Sequence, residues 1–389
     1  MPYNNINKIP ILSFFTGGGF MDMGFEKAGF EIIFSNEIDK DFAQFYREGM
    51  SSWSNESKEI TVIDDIENIH SGLIKPYLKE GFGIIGGPPC QDFSVQGSKA
   101  GFEGLMGTQT YHFYEKIMDL QPTFFLMENV PGLVLLNKTK SAFEKILELF
   151  RKNYLISLNK LNSLHFAVPQ NRERLFIFGI KKELVEKKSI RTLNDSWFDW
   201  PKKEFPNAEL IYNWKEPNNK IQEIKENNLA PPPIELCVEN ILINDEEKNK
   251  IPNANEYFKI KNIHKVKNIP EGDTYRPSFK RLHRKKYSPT ACYGNNEVHL
   301  HPVYNRRISV REALRIQGIP DSYILESPGK LTKKFKMIGN GVPFPLGYKV
   351  ADTIKQFLIN QLNDNLYIDG HLVKEEEKSS NVKNPVKGY

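Results

Sequence analysis

Cysteine is scarce in this chain. Cys90, Cys237 and Cys292 are the only three, and they sit far apart. There is no CxxC pair and no even set of cysteines. That excludes a disulfide framework and fits a reducing compartment. The eight histidines are scattered without metal-ligand spacing, so no metal is expected. Long apolar runs are missing too. No stretch is long enough to span a bilayer, and the first residues lack a basic region followed by an apolar run. Neither a membrane anchor nor a signal peptide is expected. Charge of one sign is not in excess: 53 Lys and Arg stand against 48 Asp and Glu, a formal +5. Such a balance permits nucleic-acid binding without requiring it, because a local patch matters more than the total. No internal repeat is present. At about 100–200 residues per domain, 389 residues suggest two domains.

What is present is organised around Gly86-Gly87-Pro88-Pro89-Cys90-Gln91-Asp92-Phe93-Ser94. Phe82-Gly83-Ile84-Ile85 reads as a short buried strand before it. Two prolines then fix the backbone just ahead of the thiol. A cysteine offered at a rigid strand end is either a nucleophile or a small core residue in a tight turn.

Upstream, Ile9 to Phe15 reads as an apolar strand, Thr16-Gly17-Gly18-Gly19 as a turn and Met21 to Phe30 as an amphipathic helix. Strand, glycine turn and helix open a nucleotide-binding α/β unit, or an ordinary βα turn. Ile32 to Ser35 reads as a second strand with Glu37 just beyond, an acid suited to ribose hydroxyls or to capping. Ile60 to Ile63 reads as a third strand closed by Asp64-Asp65-Ile66. Ligands of open α/β sheets bind at these carboxyl ends. Gly97 to Thr110 reads as a loop able to close over a substrate, or as plain surface loop.

Tyr111 to Leu120 reads as a helix, and Pro122 to Met127 as a strand that delivers Glu128. A carboxyl so close behind an apolar run has a raised pKa and can donate a proton; it also suits a cap. Ser141 to Phe150 reads as a helix, Leu155–Leu161 and Leu175–Ile180 as strands. Between those strands stand Arg172 and Arg174, at i and i+2, suited to base carbonyls, phosphates or surface ion pairs.

After about Lys181 the texture changes to Lys, Asn, Glu and Pro, with Pro231-Pro232-Pro233. Residues 181–285 read as a smaller irregular module. Its last part, Ser278 to Tyr287, is basic with interleaved aromatics and suits phosphates, or is a solvated charge run. Ser309 with Glu312 forms a capping-box pattern. Phe335 to Pro343 reads as a glycine-flanked turn, and Leu346 to Asn360 as a helix.

In this order the motifs resemble the DNA (cytosine-5) methyltransferases of bacterial restriction-modification type. The most specific are Pro-Pro-Cys-Gln at 88–91, Glu-Asn-Val at 128–130 and Gln-Asn-Arg-Glu-Arg at 170–174. Arg311-Glu312, Arg315-Ile316-Gln317-Gly318 and Gly339-Asn340-Gly341-Val342-Pro343 complete the series.

The resemblance implies an α/β fold: a Rossmann-like S-adenosylmethionine-dependent methyltransferase domain with a smaller irregular target-recognition domain. It places the catalytic domain at 1–185, completed by 331–389, and the recognition domain at 186–330. It implies Cys90 as the nucleophile on carbon 6 of cytosine and Glu128 as the group that protonates N3. Arg172 and Arg174 would buttress that site. Phe15, Gly17, Gly18, Glu37, Ile38, Asp65, Ile66, Pro89, Asn340 and Val342 would line the pocket for S-adenosylmethionine and its product S-adenosylhomocysteine. The implied partner is duplex DNA, bound by a monomer in a bacterial cytoplasm, at the nucleoid, with room for a cognate restriction endonuclease. Phe20 stands where the family's turn usually has a second consecutive glycine, Ser13 where it often has Asp, and Met106 where it often has an arginine. A tRNA-methylating branch and a binding protein without catalysis are the competing readings; the long insert favours DNA, and Cys90 with Glu128 and both arginines favours catalysis.

Overall fold

The computed structural model describes residues 8–89, 108–135, 137–187, 197–212, 232–291, 293 and 297–362. Six strands form one sheet: β1 (Ile9–Phe14), β2 (Phe30–Asn36), β3 (Gly83–Gly86), β4 (Phe124–Asn129), β5 (Tyr154–Asn162) and β6 (Glu173–Lys181). Their order is β2-β1-β3-β4-β6-β5. The first four run parallel; β6 lies antiparallel to β4, and β5 antiparallel to β6.

The parallel strands are apolar on both sides because helices cover both faces. Side chains alternate along each strand. Leu12, Phe14, Ile84, Phe125 and Met127 face one layer. There they meet Phe113 and Ile117 of α3 (Gln109–Leu120) and Phe143, Ile146 and Phe150 of α4 (Asn137–Asn153). Ile11, Ile85, Phe124 and Leu126 face the other. There they meet Phe25 of α1 (Phe20–Ala28) and Leu346, Val350 and Ile354 of α7 (Phe344–Leu362). The last helix thus packs back on the first.

A third apolar cluster joins distant parts of the chain. Phe20 and Met23 of α1 and Phe45 and Tyr46 of α2 (Lys40–Ser54) share it with Val238, Leu282, Leu314 of α5 (Val310–Ile316), Tyr323 and Phe335 of α6 (Leu331–Asn340). The capping box at the start of α5 is formed by Ser309 and Glu312.

Two expectations are corrected here. Residues 60–63 make no strand: Val62 forms only an isolated parallel bridge with Asn36. Ile63 is 48% exposed, so the run has no second buried face to hold it in the sheet. The Asn36 amide instead donates to the carbonyl oxygens of Val62 (3.1 Å) and Asp64 (2.8 Å). Residues 335–340 are helical, not a turn, because Phe335, Met337 and Ile338 share a buried face of α6. Only Gly341 to Pro343 link α6 to α7. Among the described residues no helix is long and apolar enough to cross a membrane.

Candidate active site

The carboxyl ends of β1, β2, β3 and β4 carry the candidate residues. After β1 the chain turns sharply, with φ of 56° at Phe15, 57° at Gly17 and 78° at Gly19. A Cβ on Gly17 would meet nothing within 4 Å, so space lies open beside this turn. Gly18 faces inward: a Cβ there would fall 2.2 Å from Met337 Sδ. Its carbonyl accepts the Tyr323 hydroxyl at 2.8 Å. Phe20 does not spoil the turn. It is buried at the first position of α1, edge-on to Tyr323 and against Gly341.

Glu37, just after β2, is buried and accepts the Gly17 N–H at 2.8 Å and the Asp39 N–H at 2.9 Å. Burial raises its pKa; those backbone donors oppose the shift. Ile38 beside it is 59% exposed. Asp65 caps the short helical turn that follows it and accepts from the Gln109 amide at 3.2 Å. Ile66 belongs to the core with Leu12, Phe14 and Phe34, so Phe15 and Ile38 supply the open apolar surface here. An open glycine turn, two carboxylates and an exposed aliphatic side chain fit a nucleoside with a charged tail. Asn340 and Val342 stand at the end of α6 and beyond it; Asn340 is exposed and Val342 buried.

The second half of the site lies at β3, β4 and β6. Glu128 is the penultimate residue of β4 and is buried. Its Oε1 pairs with Arg174 Nε at 2.8 Å. Its Oε2 lies 2.9 Å from where a Cβ on Gly87 would be, so a side chain there would displace the carboxyl from its present position. Burial raises the Glu128 pKa, and the charges of Arg174 and Arg172 oppose it. Asn129 donates to the Pro88 carbonyl at 3.0 Å. The end of β4 therefore holds the Gly-Pro-Pro segment from two sides. Pro89 is exposed. Cys90, Met106 and the loop read at 97–110, up to residue 107, lie outside the described residues.

Arg172 is not at a surface. It is fully buried and donates to the backbone carbonyls of Ala291 (3.2 Å), Gly339 (2.7 Å) and Gly341 (3.0 Å). Its guanidinium ties the link just before β6 to the end of α6. Sequence reasoning gave no role to Gln170, Gln317 or Tyr323. The Gln170 and Gln317 side chains bond each other at 3.1 Å, and Gln317 donates to the Ile338 carbonyl at 2.7 Å. No sequence signal marks Tyr323. Ser13, in the place of an expected Asp, donates at 2.7 Å to Asp22, one turn into α1. The carboxylate of this spot is thus supplied from the next element.

The basic run near 280 is also corrected. Arg281 is 3% exposed. It donates to the carbonyls of His301, Tyr304 and Val266 and to the Asn305 side chain. Arg284 is exposed but pairs with Glu271 at 3.0 Å.

A parallel sheet with a glycine turn after β1, an acid after β2 and an antiparallel β6 wedged in beside β4 is the Rossmann-like fold of the S-adenosylmethionine-dependent methyltransferases. The chain belongs to the C-5 cytosine-specific DNA methylases, whose family model matches residues 9–356. It is therefore a DNA (cytosine-5) methyltransferase. It is 36% identical over 369 residues to the Type II methyltransferase M.NmeDI of Neisseria meningitidis serogroup C, covering 91% of this chain and 85% of that one. It is 30% identical to the Type II methyltransferase M.FnuDI of Fusobacterium nucleatum, covering 90% and 95%. A crystal structure of a protein encoded within an E. coli prophage superimposes with a TM-score of 0.62 at 25% identity, covering 90% of this chain and 99% of that one.

Proposed function

We propose that the chain transfers a methyl group from S-adenosylmethionine to carbon 5 of a flipped-out cytosine in a specific duplex sequence, through a covalent bond to Cys90. The observation that carries this is the Glu128–Arg174 pair set against Gly87, with Asn129 fixing Pro88 two residues ahead of Cys90.

The cytosine ring is a poor nucleophile at carbon 5. The Cys90 thiolate adds to carbon 6, forming a C–S bond and making carbon 5 electron-rich. Glu128, whose burial favours the protonated acid, gives its proton to N3 and relieves the charge that develops there, a transition-state stabilisation. Arg174 keeps Glu128 in place and meets the base carbonyl. The bound cofactor supplies an electrophilic methyl on its sulfonium. The hydrogen on carbon 5 then leaves as a proton and the thiolate is eliminated. None of this is accessible inside a stacked duplex, so the base leaves the helix.

Phe15, Gly17, Gly18, Glu37, Ile38, Asp65, Ile66, Pro89, Asn340 and Val342 form the cofactor's surroundings in this reading. Residues 1–185 with 331–389 carry the chemistry, and 186–330 read the sequence. The protein works as a monomer on bacterial DNA in the cytoplasm.

The test is a duplex with 5-fluorocytosine at the methylated position. Fluorine does not leave as a cation, so a covalent complex should accumulate with wild type and not with Cys90→Ser. Turnover surviving in Cys90→Ser, or transfer to tRNA in preference to duplex DNA, sinks the assignment.

A further inference from the structure

The basic run at 280–286 was the natural place to look for DNA backbone contacts, yet its two arginines are engaged inside the protein. Arg281 is spent on a buried knot, and one of the chain positions it holds is the carbonyl of Val266, at 2.9 Å. Val266 is fully buried, with Ile269, Leu300, Ile260 and Phe279 around it. It anchors a short helical turn, His264–Lys267. Asn262 closes the start of that turn by accepting the His264 N–H at 3.0 Å.

The polar residues on and beside this turn face solvent. Lys259, Lys261, Lys265 and Lys267 are all exposed, as are Asn262, His264 and Asn268. Residues 259–268 contain four lysines and no acid. Among the described residues no carboxylate lies within 4.0 Å of any of the four, whereas Arg276, Arg284, Arg306 and Arg315 of the same region each have one. Four exposed lysines within nine residues, none paired with a carboxylate among the described residues, make a local positive surface that complements an external polyanion.

The Arg281 side chain ties the turn to a backbone-paired segment that runs towards Arg172. Leu282 N–H donates to Leu300 and Leu300 N–H to Lys280. Further along, Ser288 exchanges hydrogen bonds with Pro169 and Asn171, next to Arg172.

We propose that Lys259, Lys261, Lys265 and Lys267 form a contact surface for the phosphate backbone of duplex DNA, with Arg281 as the buried clamp that holds the surface in place. The proposal rests on the reading of the partner as duplex DNA. Ammonium groups on flexible stems meet phosphates as point charges and carry no sequence information. The surface therefore sets affinity and its salt dependence, and leaves the methylated sequence to other residues.

The experiment uses the full chain and a random-sequence duplex of 25 base pairs. The slope of log K against log salt is measured for wild type, a quadruple Lys→Gln variant and a quadruple Lys→Arg variant. Each lost phosphate contact lowers the slope by about 0.9, so the glutamine variant should lose roughly 2–4 units of slope and the arginine variant almost none. Methylated positions, mapped in host DNA, should be unchanged in both. A glutamine variant that melts like wild type and keeps its slope overturns the surface. A changed methylated sequence also overturns it, by assigning the lysines to base reading. Wild type that neither binds duplex nor methylates it overturns instead the reading on which the proposal rests.

Discussion

The buried carboxyl of Asp22 is held at a pKa of about 7, mainly by burial, against the hydrogen bond from Ser13. In an unfolded chain an aspartate titrates near ~3.9. Between those values the folded state binds a proton that the unfolded state does not. Stability from this group is therefore full at low pH and is lost as pH rises through about 7. Asp22→Asn cannot ionise. Its stability relative to wild type should improve between pH 5 and pH 8, by an amount on the order of a few kcal/mol at most. Urea unfolding of both proteins at the two pH values checks this; parallel losses would mean Asp22 is ionised when folded. Glu128 poses a different residue-scale question. On the proposed mechanism, Glu128→Gln keeps the shape and removes the proton given to N3. Turnover should fall about 10²–10⁴-fold. DNA binding should persist, since Arg174 still has an oxygen to hold; single-turnover kinetics with a binding control separates the two effects.

At the scale of elements, the glycine turn after β1 and the end of α6 are built into each other. Tyr323→Phe removes a hydroxyl bonded to Gly18 and, at 3.3 Å, to Phe45. It should destabilise the protein by about 1–3 kcal/mol, because the Gly18 carbonyl loses the one hydroxyl hydrogen it shares with the Phe45 carbonyl. Gly339→Ala places a Cβ 2.9 Å from the backbone nitrogen of Tyr293. Backbone has no rotamer to give, so a loss of about 1–3 kcal/mol in thermal unfolding is expected. Gly17→Ala meets no atom, but at φ 57° it carries backbone strain of about 1 kcal/mol; any effect on cofactor affinity should come on top of that. Unchanged calorimetric affinity for S-adenosylhomocysteine there would move the pocket elsewhere.

The same elements explain what the sequence made legible. The strands β1, β3 and β4 announce themselves because their apolar runs end in glycine or an acid where ligands bind. Residues 60–63 carry the same signal but form a backbone bridge with β2 only at Val62, with Ile63 exposed, which no local pattern reveals. Arg172 and Arg281 were visible as charges only. The acceptors of Arg172 lie 119 and 167 residues further along the chain, so a pattern read within a window cannot find them. Glu128 and Arg174 stood out through the order of their motifs, not through any single one, and the structure sets their side chains 2.8 Å apart.

For the whole molecule, the segment after β6 is an excursion that returns. Replacing residues 190–275 by the corresponding segment of a relative should move the methylated sequence and leave the chemistry of Cys90 and Glu128 in place. Mapping methylated cytosines in host DNA decides it: a folded, active chimera that still marks the original site would remove this segment from sequence reading.

The return of the chain has a consequence for how the protein is made. Synthesis runs from β1 to α7, and the sheet with its glycine turn emerges from the ribosome first. The Gly18 carbonyl has no Tyr323 to hold it, and α1 no α7 to cover it, until almost the entire chain has been translated. Arg172 likewise waits for Gly339 and Gly341. Residues 186–330 are thus always synthesised before the end of α6, which holds Arg172, and before α7, which covers α1. A ribosome-bound fragment that ends before Tyr323 lacks the donor to the Gly18 carbonyl and the Gly339 and Gly341 acceptors of Arg172.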